Sequence, residues 1–301
     1  MDTLNAVDDA LDKNAELSLA ILQSGLNSFG ISPTTKAWQG EAWQGKATPT
    51  DLEKARGTLR QFFRDWSAEG ASERNACYGP VIKALVAEKS KSANNTMRVL
   101  VPGAGLGRLV FDLACSGFNA EGNEISYHQL LASAYILNCV PAAEAHTLYP
   151  WVHSFSNHKS RLDHMKSVQI PDVHPAALLR KIQSPGQMSM SASDFLLLYG
   201  REDQKDAFDA VATVFFLDTA PNVIRYLEAI RHCLRPGGVL VNFGPLLWHF
   251  ENNAPGTRGQ ESGTASDGGP MGNLMQIVFQ LQTRLTQSRH RRPRSDGTDQ
   301  R

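Results

Sequence analysis

The sequence predicts an α/β fold: a doubly wound, mostly parallel, Rossmann-like sheet preceded by a helical region. Three observations predict it. First, Val99-Leu100-Val101 is an aliphatic, β-branched run, followed by Gly103, Gly105 and Gly107 and then by Leu109-Val110-Phe111-Asp112-Leu113-Ala114, apolar at helical spacing. Strand, glycine turn, helix is the opening unit of a doubly wound domain. Second, 118–124 is a short strand that ends in an acid, Glu124. Third, 209–218 is β-branched, aromatic and nearly uncharged, as a strand buried on both faces must be. It is followed by a helix over 223–234, the terminator Arg235-Pro236-Gly237-Gly238 and a further strand over 239–243.

The totals set limits. A chain of 301 residues with 42% apolar side chains holds one large or two small domains with a real core. It divides into a helical region over 1–95, the sheet domain over 96–251 and a tail over 252–301. A formal net charge of +0 argues against broad electrostatic binding to nucleic acid. The four cysteines are scattered, without a CxxC pair, and Cys115 and Cys233 read as reduced core residues, which fits a reducing compartment. No apolar run reaches the ~20 residues of a membrane span, and the first residues lack the basic and apolar regions of a signal peptide. The expectation is a protein of the cytoplasm or nucleus with no membrane partner.

Taken in order, Leu4, Val7, Leu11, Leu17, Leu19, Ile21 and Leu22 predict one helix that ends near Gly25 or Gly30. Ala-Trp-Gln-Gly then occurs twice, over 37–40 and 42–45, as a local duplication. Thr50 and Glu53 resemble a capping box opening a second helix. Within it Gln61 and Arg64 lie one turn apart on one face, where a solvated surface is the plainer reading of their spacing. A third helix spans about 72–89, bent or split by Pro80, and 89–95 is a polar hinge. Residues 141–192 show little periodicity and read as a long loop of the kind that carries function. Its histidines at 153, 158, 164 and 174 lack helical i, i+4 spacing with a third ligand, so no metal site is expected.

Candidate site residues follow from this frame. The turn has the pattern G-x-G-x-G rather than the G-x-G-x-x-G of dinucleotide enzymes, which suits a ligand without a phosphate, such as S-adenosylmethionine. Glu124 is placed to accept hydrogen bonds from ribose hydroxyls or to cap the following helix, over 127–137. Asp194-Phe195 suits an adenine: the acid accepts from the exocyclic amine and the ring packs on the base. It reads equally as a loop acid beside a buried ring. Asp218, at the end of the central strand, faces the ligand crevice, and His249 hangs at its rim or on a surface loop.

These residues resemble the carnosine N-methyltransferase (N2227-like) family. The matching blocks are Gln61-Phe62-Phe63-Arg64-Asp65-Trp66-Ser67, the glycine turn 101–108, Gly122-Asn123-Glu124, Tyr149-Pro150-Trp151-Val152-His153, Phe215-Phe216-Leu217-Asp218-Thr219-Ala220 and Gly244-Pro245-Leu246-Leu247-Trp248-His249-Phe250. They cover about residues 50–251. The resemblance implies a class I methyltransferase sheet, S-adenosylmethionine as cofactor, and methylation of the carnosine imidazole to give anserine. It implies that Gln61 and Arg64 reach the methionine end of the cofactor, which overturns the surface reading. It further implies that Gly103, Gly105, Gly107 and Glu124 hold the nucleoside, Asp194 and Phe195 the adenine, that Val214 lies beside the cofactor, and that Asp218 and His249 contact substrate. Helical N-terminal regions of this kind often mediate dimers, so a homodimer is an open expectation. Family members continue past the His-Phe-Glu block with a helix, two strands and tyrosines near the substrate. Residues 252–301 hold no tyrosine, and strands six and seven are expected to be missing or altered. The alternatives are a methyltransferase acting on another imidazole, or an inactive or truncated cofactor-binding protein without the C-terminal substrate wall. An NAD dehydrogenase is discounted by the glycine spacing.

Overall fold

The computed structural model describes residues 2–30, 46–91 and 96–252. The repeated Ala-Trp-Gln-Gly, most of the polar hinge and nearly all of the tail, including any strands there, lie outside the described residues. Helix α1 (Asp2–Ser28) is single, as its periodicity predicts. Helix α2 (Pro49–Trp66) starts two residues earlier than expected. Thr48, not Thr50, is the cap: its hydroxyl accepts from the Asp51 N–H at 3.2 Å, and the Asp51 carboxylate accepts from the Thr48 N–H at 3.0 Å. Pro49 at the first helical position is pre-set for that start. Helix α3 (Ala71–Lys89) runs through Pro80 without splitting. Pro80 is on the exposed face, where the carbonyl it frees meets water.

The remaining elements are β1 (Arg98–Pro102), α4 (Arg108–Cys115), β2 (Asn119–Glu124), α5 (Tyr127–Asn138), β3 (His146–Leu148), α6 (Arg161–His164), β4 (Val168–Ile170), α7 (Pro175–Lys181), β5 (Met188–Ala192), α8 (Phe195–Tyr199), β6 (Phe208–Val214), α9 (Val223–Cys233) and β7 (Leu234–Phe243). Five strands pair in the order β5-β2-β1-β6-β7, all parallel. Alternation along the strands sends Leu100, Phe208 and Val211 to one face, against Phe195, Tyr199 and Ile230. It sends Val99, Val101 and Ala210 to the other, against Val81, Leu85 and Leu113. Helices therefore cover both faces, as a parallel sheet requires.

Three expectations change. The stretch 141–192 is not a bare loop: β3 and β4 pair antiparallel within it, and three short helical and strand segments flank them. The central strand stops at Val214, because Phe215 takes a φ of 53° and Leu217–Thr219 closes a 3₁₀ turn. The Arg235–Gly238 terminator is absorbed into β7, where the register against β6 jumps from Phe208↔Leu234 to Ala210↔Val239.

The helical region is fastened to the sheet domain by buried charge. Asp172 accepts from Arg74 Nη2 of α3 and from Arg108 Nη1 of α4, each at 2.7 Å. Arg108 also donates to the Asp65 carbonyl at 2.8 Å and lies over the Trp66 ring. Burial, with Arg108 adding to it, holds the Arg74 pKa below its ordinary value.

Candidate active site

The site lies where the carboxyl ends of β1, β2 and β6 meet. All three glycines of the turn have positive φ, 65° at Gly103, 55° at Gly105 and 74° at Gly107, a region that side chains other than glycine enter at a cost. The turn is tied to β2: the Ala104 N–H donates to the Asn123 carbonyl at 2.9 Å, and the Gly105 N–H to Glu124 Oε2 at 3.0 Å. The other oxygen of Glu124 accepts from the N–H groups of Ile125 and Ser126 at 2.8 and 2.9 Å. Glu124 thus fastens both the turn and the lead into α5, while still facing the crevice.

Two cavities open here. One, of about 510 Å³, is lined by Gly105, Glu124, Ser126, Asp194, Phe195 and Phe216. The other, of about 470 Å³, is lined by Arg64, Glu73, Tyr78, Trp151, Val214 and Ala104. Gln61, Gly103 and Phe215 line both. Asp65 is buried and organises the second cavity. Its carboxylate accepts from Arg64 Nε at 2.8 Å, from Gln61 Nε2 at 3.2 Å and from the Tyr78 hydroxyl at 3.0 Å. Burial alone would lower the Arg64 pKa, but the Asp65 charge outweighs it and the guanidinium is raised above its ordinary value. Burial pushes the Tyr78 hydroxyl up, and the Asp65 charge pushes it further.

The sequence-predicted residues divide. Gln61, Arg64, Gly103, Gly105, Glu124, Asp194, Phe195 and Val214 are brought to the two cavities. Asp194 caps α8 by accepting from the Leu197 N–H at 3.0 Å, and Phe195 is buried edge-on to Phe216, so both plainer readings hold as well. Gly107 lines neither cavity. A Cβ there would stand 2.9 Å from Leu137 Cδ1, so this glycine lets α4 start against α5. Asp218 and His249 also line neither cavity. The turn after Phe215 carries Asp218 past the strand end, where it is 3% exposed and accepts from the Leu247 N–H at 3.2 Å. The His249 N–H donates to the Asp218 carbonyl at 3.0 Å while its imidazole is exposed. The pair is joined, and its chain neighbours Thr219 and Phe250 line the first cavity. Sequence reasoning missed Tyr78, which no local pattern marks, and Gln129 in the first cavity. Trp151 was visible as part of the Tyr-Pro-Trp-Val-His block. Among the described residues no three His, Cys, Asp or Glu gather as metal ligands, and no helix is long and apolar enough to cross a membrane.

A parallel sheet with a glycine turn after its first strand, an acid ending its second and paired cavities between them has the form of a nucleoside-binding, Rossmann-like domain. A family model described as carnosine N-methyltransferase matches residues 41–283. The chain is 41% identical over 261 residues to the carnosine N-methyltransferase of Schizosaccharomyces pombe, covering 86% of this chain and 68% of that protein. It is 40% identical over 257 residues to that of Mus musculus, covering 83% and 61%. The chain belongs to the carnosine N-methyltransferase family. The match runs beyond 50–251 at both ends, past the point where the sequence blocks stop. An arsenic(III) S-adenosylmethionine methyltransferase from Chlamydomonas reinhardtii aligns at 16% identity and a TM-score of 0.33, covering 52% of this chain and 43% of that one, too slight a likeness to carry weight.

The residues fit the cofactor. An acid suited to ribose and a buried ring lie in one cavity, and a carboxylate-binding guanidinium lies in the other. The turn between them must stay bare: a Cβ on Gly105 would come within 2.5 Å of Gln61 Nε2, and one on Gly103 within 2.7 Å of the Phe216 ring.

Proposed function

We propose that this chain transfers a methyl group from S-adenosylmethionine to the imidazole of carnosine, giving anserine. The observation that carries the reading is the pair of adjoining cavities, one with Glu124 and Asp194, the other with Arg64, in a chain of this family. When bound, the cofactor supplies a methyl group already made electrophilic by its sulfonium. The protein then has to align a neutral imidazole with it and exclude water. Glu124 holds the ribose, Asp194 and Phe195 the adenine, Arg64 with Gln61 the methionyl end, and Val214 packs beside it. Asp218 is the catalytic carboxylate: anchored through Oδ2 by the Leu247 N–H, it takes the ring N–H, which fixes the tautomer and steadies the positive charge that forms on transfer. His249 positions the dipeptide.

The test is methyl transfer from labelled S-adenosylmethionine to carnosine, beside a panel of other imidazole peptides. Asp218→Asn is expected to cut turnover roughly 100-fold or more while affinity for S-adenosylhomocysteine stays within about twofold. Loss of that affinity instead would assign Asp218 to the cofactor. A second reading, cofactor binding without transfer, is favoured by the seats of Asp218 and His249 outside the cavity lining. Binding of S-adenosylhomocysteine with no transfer to any imidazole would establish it.

A further inference from the structure

Among the described residues one buried side-chain oxygen has no hydrogen-bond partner: Gln129 Oε1. It belongs to α5 and lines the cavity that holds Glu124 and Asp194. It lies 3.6 Å from the point a Cβ on Gly105 would occupy, against the glycine turn. A buried carbonyl left without a donor is costly, and this one belongs to a residue that lines the cavity and lies against its glycine turn.

Its polarity is determined by its neighbours. An amide's oxygen and nitrogen have nearly the same shape, so the direction must be read from the network. The network here starts at Asp65, whose carboxylate accepts from Arg64 and from the Tyr78 hydroxyl. An ionised carboxylate only accepts, so Gln61 must turn its Nε2 to it, at 3.2 Å. That leaves Gln61 Oε1 to accept from Gln129 Nε2, at 2.7 Å. Gln129 Oε1 is then the end of the chain and an acceptor. Reversing either amide would set two donors or two acceptors against each other.

We propose that Gln129 is a cofactor-contacting residue whose Oε1 accepts a hydrogen bond from an N–H or O–H of the bound nucleoside amino acid, with its direction imposed by Asp65 through Gln61. Three cofactor groups carry donors, the methionyl ammonium, the ribose hydroxyls and the adenine amine; the reading above gives the amine to Asp194, which leaves the first two for Gln129. The proposal rests on the cofactor-site reading above and adds a selectivity to it: the site tells donor from acceptor at this point.

Calorimetry on the full chain tests it, with S-adenosylhomocysteine, its analogue lacking the α-amine and its 2′-deoxy analogue as probes, each against wild type and Gln129→Met. Loss of one buried hydrogen bond predicts a roughly 5- to 30-fold drop in S-adenosylhomocysteine affinity for Gln129→Met. The analogue lacking the partnered donor should lose a similar factor against wild type and nothing further against the variant, and which analogue does so names the donor. Gln129→Ala, which helices tolerate, replaces the methionine variant should that one not fold. Unchanged S-adenosylhomocysteine affinity in the variant, or losses for both analogues that are the same in variant and wild type, would overturn the role of Gln129 and leave the cofactor site standing. No binding to wild type would overturn the cofactor site itself.

Discussion

The two cavities share Gln61, Gly103 and Phe215 and differ in how they are built. The nucleoside side is made largely of turns at strand ends: Gly103 and Gly105, residues 124–126 and residues 193–195, held by backbone hydrogen bonds and by glycine conformations. The other has strand ends on one side, Val101–Ala104 and Val214–Phe215, and on the other side chains from α2, α3 and Trp151; the helices are held by charge, Arg64 on Asp65 and Arg74 with Arg108 on Asp172. A wall of backbone depends on φ angles and on the absence of side chains. A wall of helices depends on ion pairs that span 98 and 64 residues of chain, Arg74 to Asp172 and Arg108 to Asp172. The two should therefore fail differently: the first through steric insult at a glycine, the second through an unpaired buried charge.

The largest effect should come from the second. Asp172→Asn leaves Arg74 and Arg108 facing each other with little exposure, and removing one partner of a buried pair costs about 3–5 kcal/mol. Urea unfolding should report that loss, with α3 losing hydrogen-exchange protection ahead of the sheet; a change under about 1 kcal/mol would show that Asp112 and the backbone carbonyls are enough to hold the arginines. The turn should fail next. Gly105→Ala puts a methyl against Gln61 Nε2 at a φ of 55°. S-adenosylhomocysteine affinity should fall roughly tenfold or more, with about 1–2 kcal/mol of stability lost to left-handed strain. Wild-type affinity in that variant would mean the turn does not approach the ligand.

The same division explains what could be read from the sequence. Hydrophobic period and glycine spacing are local, so β1, its turn, β2 and β6 were legible, along with Gly103, Gly105 and Glu124. The helix-side cavity was not. Tyr78 is one aromatic among many in a long helix, and only packing aims its hydroxyl at Asp65. Gln61 and Arg64 looked like surface until the resemblance placed them, because their partners, Asp65 apart, are distant in sequence. The end of the central strand was misread for a related reason. The apolar run continues through Phe216 and Leu217, so nothing local announces that Phe215 turns the chain with a positive φ.

Gly107 sharpens the contrast within the turn itself. It has the same backbone conformation as Gly105 but meets Leu137 instead of the cavity. Gly107→Ala should cost about 1–2 kcal/mol in a thermal melt from left-handed strain, since the Leu137 methyl can move aside. Affinity for S-adenosylhomocysteine should be unchanged. An affinity loss matching that of Gly105→Ala would return Gly107 to the cofactor site.

The smallest effect concerns how α1 is held near the helix-built wall. Asn14 of α1 accepts from the Tyr149 N–H at 2.8 Å and donates to the Tyr149 carbonyl at 2.9 Å, which orients its amide. Its Nδ2 then faces His153 Nε2 at 3.3 Å, so that nitrogen must accept and the imidazole must be neutral. Burial, then the charges of Arg56 and Arg60, hold the His153 pKa below its ordinary value, with Glu53 opposing them. The unfolded chain therefore binds the proton more readily than the folded one. Stability from this contact is complete above the ordinary histidine pKa of about 6.5 and is lost as pH falls through it toward the lower folded value. Hydrogen exchange in the first half of α1, corrected for the intrinsic rate, should show less protection at about pH 5.5 than at about pH 7.5. His146 on β3, also held low by burial, sets a background in both proteins. In His153→Gln, whose amide oxygen can accept from Asn14 without titrating, the pH dependence should shrink toward that background. An equal pH dependence in the variant would mean that α1 is not gated by this imidazole.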